Sequence, residues 1–75
     1  MNKVILNSEK ILDNIIEGYS VKATRMDGYE YIISMERVKG EEIYKYQFGR
    51  ITREFKGFDA LINKLSNHEF LLIEF

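Results

Sequence analysis

Cysteine, proline and tryptophan are all missing from the 75 residues. Without cysteine there is no disulfide scaffold and no thiolate chemistry, and a cytoplasmic setting is the natural expectation. The missing proline, with no low-complexity tract and no internal repeat, argues against linkers and disordered tails, so the whole chain is expected to fold. Long apolar runs are also lacking. The longest, Phe70 to Ile73, falls far short of the roughly 18 to 20 residues that span a bilayer, and no signal peptide is visible. Neither charge sign dominates: eleven Lys and Arg offset twelve Asp and Glu, for a net charge of −1. The long-range positive field that drives phosphate binding is therefore absent on average, which weighs against a general nucleic-acid binder.

What is present is a middle section, residues 19 to 48, that reads as three consecutive strands. Its apolar positions can be tested for register, because a slip of one residue sends a whole apolar set to the wrong face. A two-residue Asp27-Gly28 turn would set Val21 opposite Ser34 and mix core with solvent positions. A three-residue turn of Met26, Asp27 and Gly28, with Gly28 left-handed in a bulge, instead pairs Tyr19 with Met35, Val21 with Ile33 and Ala23 with Tyr31. A Lys39-Gly40 turn then pairs Met35 with Tyr44, Ile33 with Tyr46 and Tyr31 with Phe48. The two registers agree on one apolar face. The opposite face carries Lys22 and Lys45 among Glu30 and Glu36, and is expected to meet water.

Two helices are expected over the apolar face alone. One follows Asn7-Ser8, with Ile11, Leu12, Ile15 and Ile16 at helical spacing and an end near Gly18. The other starts around Gly57-Phe58-Asp59, carries Phe58, Leu61, Ile62 and Leu65, and stops at Ser66-Asn67. Both need the sheet to be stable. Residues 50 to 56 read either as a fourth strand after a turn at Phe48-Gly49 or as the third strand continued past a glycine bulge. Phe70 to Phe75 suits a strand buried on both sides and lying beside an edge of the sheet. Residues 3 to 6, with Val4 to Leu6 at their centre, fit a short first strand or the lead-in to the helix. The expected architecture is a small single α+β domain over residues 1–75, with a three- to five-stranded antiparallel sheet and two short helices packed on one face. A chain of this length buries roughly 60 to 65% of its unfolded surface, enough to fold alone with a modest margin.

Chemistry is sparse. No nucleophile with a positioned base, paired carboxylates or metal-ligand spacing is evident, so no enzymatic activity and no cofactor are expected. His68, the single histidine, sits at a helix-to-strand junction, where helix termination accounts for it. The five glycines are isolated and form no phosphate loop.

Candidate contact residues come from the ends of the sheet. Arg25, Tyr29 and Arg50 are expected in one row, with Arg53 close by; two guanidinium groups flanking a phenol can meet a base, a phosphate or an acidic protein surface. Glu41-Glu42 follows a hairpin tip and can engage a basic partner or stay solvated. Tyr19, Tyr29, Tyr31, Tyr44 and Tyr46 all fall on the expected inner face. Two short helices do not cover them all, so some, Tyr44 among the candidates, should lie at a rim where tyrosine is a favoured interface residue.

In general type the chain resembles the small, cysteine-free inhibitors of phages and mobile elements, anti-CRISPR and other anti-defence proteins among them, and equally bacterial immunity proteins and antitoxins. No motif residue carries this likeness. Frequent Lys, Ile, Asn, Glu and Tyr with scarce Ala match AT-rich coding sequence of low-GC bacteria or their phages. The lack of chemistry and the available aromatic and arginine surface point to a stoichiometric binder that occludes or locks a larger host protein, with a small nucleic-acid-binding regulator using Arg25, Arg50 and Arg53, or a homodimeric structural subunit, as alternatives.

Overall fold

A computed structural model describes residues 4–75. In chain order its elements are α1 (Ser8–Ile16), β1 (Val21–Arg25), β2 (Glu30–Val38), β3 (Glu41–Phe48), β4 (Ile51–Phe55), α2 (Phe58–Leu65) and β5 (Phe70–Glu74). The strands form one antiparallel sheet in the order β4-β3-β2-β1-β5. Four of them follow one another as a meander. The chain then crosses the sheet through α2 to place β5 on the far edge, beside β1.

The expected register holds at its centre. Val21 faces Ile33 and Ala23 faces Tyr31; Ile33 faces Tyr46 and Met35 faces Tyr44. Gly28 has φ 98°, a left-handed backbone that closes the three-residue turn at little steric cost, and the Gly28 N–H donates to the Arg25 carbonyl at 2.9 Å. Lys39 and Gly40, at φ 54° and 82°, supply the doubly left-handed turn that matches strand twist.

Both helices lie on the apolar face, α1 over β1 and β2 and α2 over β3 and β4. The Asn7 side chain accepts the Lys10 N–H at 3.1 Å and so caps α1. Ile11 and Ile15 from α1 and Leu61 and Leu65 from α2 join Val21, Ala23, Tyr31, Ile33, Tyr46 and Phe70 in the core, all buried. The outer face is laced by ion pairs, Lys22 with Glu30 at 2.9 Å and Glu74 at 3.7 Å, and Lys45 with Glu36 at 3.6 Å.

Four expectations are changed or settled. Residues 51–55 are a fourth strand, not a continuation of β3, because Gly49 and Arg50 turn the chain and pair Phe48 with Ile51. Tyr19 does not pair with Met35. Its N–H instead donates to the Asn14 carbonyl at 3.0 Å while Gly18 N–H reaches Ile15 at 3.1 Å, a paired bond set that ends α1 and leaves the tyrosine exposed. β5 is an edge strand with only one buried side: Phe70 is in the core, but Leu72 shares the outer face with Thr24 and is exposed. Val4 makes a single bridge, its N–H donating to the Phe70 carbonyl at 2.8 Å, and residues 5–7 run on to α1 without strand pairing. Residue 3, the start of the short segment considered above as a strand, lies outside the described residues.

Candidate functional site: an aromatic cleft with a basic rim

The two helices do not cover the inner face to its end. Where β1 turns to β2 and β3 turns to β4, a cleft of about 610 Å³ remains open; half-buried Phe48 and Phe55 floor it above the buried rings of Tyr31 and Tyr46, Arg25, Arg53, Lys64 and His68 wall it, and Ile51 and Glu54 border it on β4. Alternation along the strands makes the floor. Tyr31, Tyr46 and Phe48 share a face across β2 and β3, and β4 adds Ile51, Arg53 and Phe55 to it through the pairs Phe48↔Ile51, Tyr46↔Arg53 and Tyr44↔Phe55. The rings pack as a layer: Tyr31 stacks on Phe48 at 4.7 Å between centroids, and Tyr46 on Phe55 at 5.9 Å.

Arg25 anchors one wall. Its guanidinium donates to the Tyr31 hydroxyl at 2.9 Å, pairs with the Asp27 carboxylate, and lies 5.3 Å from the Tyr29 ring centroid. The hydrogen bond to Tyr31, with the Asp27 carboxylate, holds the Arg25 pKa above its ordinary value. The buried Tyr31 hydroxyl thus has its partner, and Arg25 is mostly committed to the fold.

The opposite wall is uncommitted. Arg53, exposed on β4, and Lys64, in the last turn of α2, have no ion-pair partner among the described residues. His68 closes the end, its ring 5.9 Å from that of Tyr31. Partial burial lowers its pKa below the usual imidazole value, and the positive charges of Arg25 and Lys64 lower it further. The wall therefore holds two free cations and an imidazole whose pKa is held below its ordinary value. Chemically this arrangement suits an anion attached to an apolar or flat group.

The candidate residues divide. Arg25 and Tyr29 meet as expected, the Arg25 N–H donating to the Tyr29 carbonyl at 2.7 Å. Arg50 leaves their row, because the register that would bring it to Tyr29 is broken by the Gly49-Arg50 turn; the exposed Tyr29 ring packs edge-on against Phe48 at 5.9 Å instead. Arg53 enters the cleft. Tyr44 is half-buried at the other end of the sheet, edge-on to Phe58 at 5.7 Å. Glu41 and Glu42 also lie there, at the start of β3, with Glu42 3.7 Å from Arg37. They do not share a site with the arginines.

Lys64 and His68 were not legible as wall residues. The available signal was Lys64 beside Leu65 at the flank of the apolar stripe of α2, which places it over the sheet's margin once the stripe is docked. Among the described residues no three His, Cys, Asp or Glu side chains cluster closely enough to hold a metal ion, and no helix is long and apolar enough to cross a membrane. No known protein family, curated protein or solved structure matches the chain, so the cleft is read from its own chemistry.

Proposed function

We propose that this chain is a small non-enzymatic protein-binding module. It acts stoichiometrically on a larger partner, in the manner of a cytoplasmic inhibitor or accessory protein of phage or mobile-element type, by taking an acidic and apolar surface of that partner into the cleft. The observation that carries this reading is the uncommitted pair Arg53 and Lys64 standing over an aromatic floor. Cations that serve only the fold are normally paired or spread over a solvated face, as Lys22 and Lys45 are on the outer side. Tyrosine, phenylalanine and arginine beside one another also have the composition of an interface centre.

A second reading, binding of single-stranded nucleic acid, draws on the same cleft. Stacking readers present aromatics among basic residues, and here the helices leave part of the aromatic face open. The net charge of −1 favours the protein partner.

The test is affinity capture from a candidate host lysate with the wild-type chain and with an Arg53→Glu, Lys64→Glu variant that retains its circular dichroism spectrum. A partner captured by the first and lost by the second supports the proposal. Equal capture by both refutes the cleft as the contact. Steeply salt-dependent retention of polynucleotide by the wild type alone favours the second reading.

A further inference from the structure

β4 offers backbone as well as side chains. It lies at the end of the strand order, and Ile51 to Glu54 are exposed while Phe55 is half-buried. A two-residue hairpin closes on a pair that exchanges both backbone hydrogen bonds, and every second pair repeats the exchange. Counting from Phe48↔Ile51, the backbone groups of Ile51, Arg53 and Phe55 point to β3. Those of Thr52 and Glu54 point away from the sheet. The side chains of Ile51, Arg53 and Phe55 line the cleft at the same time.

Arg53 makes this edge selective. A second copy laid antiparallel along the whole of β4 would bring Arg53 of the two copies face to face at a closely spaced pair, which like charges disfavour. An inward-pointing charge is one of the ways in which edge strands are guarded against such pairing. An acidic residue in the same place turns the repulsion into an ion pair. Ile51 and Phe55, two residues to either side, offer apolar neighbours to residues at the same spacing on an added strand.

We infer that β4 accepts an extended segment of a partner protein as a sixth, antiparallel strand. The segment carries an Asp or Glu opposite Arg53, on the side of the cleft walled by Lys64, with apolar residues two positions before and after it. Main-chain bonds to Thr52 and Glu54 hold the segment, and the acid between two apolar residues selects it. This inference rests on the reading of the cleft as a protein-binding surface and adds its mode of engagement.

A displayed library of random heptapeptides, selected on the full chain, tests it, followed by amide hydrogen exchange of the isotope-labelled chain with the most enriched peptide. The expected consensus is an acid flanked at two residues' distance by apolar side chains. Its peptide slows exchange at the Thr52 and Glu54 amides by at least about tenfold, and replacing its acid by lysine weakens binding by about tenfold or more. Arg53→Glu should shift the preference to the lysine peptide. An acidic consensus that needs Arg53 and Lys64 but leaves those two amides unprotected overturns strand addition while the cleft reading stands. Enriched peptides that bind the Arg53→Glu, Lys64→Glu variant undiminished overturn both, and a consensus without an acid overturns the inference.

Discussion

The inner face of the sheet has two unlike ends. Under α1 it is aliphatic and dry: Ile11, Ile15, Val21, Ala23 and Ile33 are all fully buried. Toward the β1–β2 and β3–β4 turns it is aromatic, open and bordered by cations. The same alternation of residues along the same strands produces both ends, so what separates them is coverage. Two helices of nine and eight residues leave this end open, and there the chain places Phe48 and Phe55, with Ile51 at the outer margin. Rings bordered by a cation suit a wet boundary better than aliphatic side chains do.

The largest expected contrast comes from truncating each end. Ile33→Ala removes a fully buried side chain and should cost about 3 kcal/mol, a large part of the total for a domain of this size, whereas Ile51→Ala, at the exposed margin of the cleft, should cost less than about 1 kcal/mol. Urea midpoints of the two variants measure this. Equal losses would mean that the cleft is packed more tightly than its open shape implies.

Next is Gly28→Ala at the tip of the open end. The added methyl group meets open space, so the cost is that of the left-handed backbone alone, about 1 to 2 kcal/mol. Because this turn sets the register that carries Arg25 to Tyr29, the same denaturation curve should be accompanied by loss of the exchange protection of the Arg25 amide.

Smaller still is the effect on stability of Arg53→Glu with Lys64→Glu. Neither cation is paired, so the change should stay within about 0.5 kcal/mol while partner binding is lost. A large destabilisation would reassign both residues to the fold.

The finest probe is His68. Its folded pKa lies below the ordinary value through burial, with Arg25 and Lys64 adding to the effect and Asp27 opposing it. The unfolded chain therefore binds the proton more readily, so this residue leaves stability unchanged above the ordinary imidazole pKa near 6.5 and lowers it as the pH falls below that value. Lys64→Met should move the imidazole titration, followed by NMR, back toward the ordinary value. Occupation of the cleft by an acidic segment should move it the same way.

Much of the fold was legible because local geometry and apolar pattern agreed. At Gly28 the apolar pattern selects the three-residue turn over a two-residue Asp27-Gly28 turn, and its register meets that of the Lys39-Gly40 turn at Ile33. The ambiguous places were those where one residue type serves two geometries. Gly49 fits a bulge or a turn, and only the pairing of Ile51 with Phe48 decides between them. Tyr19 has the alternation of a strand residue, yet its backbone is taken by the end of α1. Phe70 to Phe75 is apolar except for Glu74, but a bulge between Thr24 and Arg25 and the edge position accompany the exposure of Leu72. The site was only half legible: Arg25, Tyr29 and Arg53 came from the sheet pattern, whereas Lys64 and His68 reach the cleft through the crossing of α2, a non-local event that no short window contains.

That crossing also bears on how the chain folds. The hairpins β1–β2, β2–β3 and β3–β4 join neighbours in sequence, whereas β5 pairs with β1 from the opposite end of the chain. Closing so long a loop costs entropy that is recovered only when Phe70 and α2 reach the core together. The meander is thus expected to form early and β5 to dock late, with the β1 edge unsatisfied until it does.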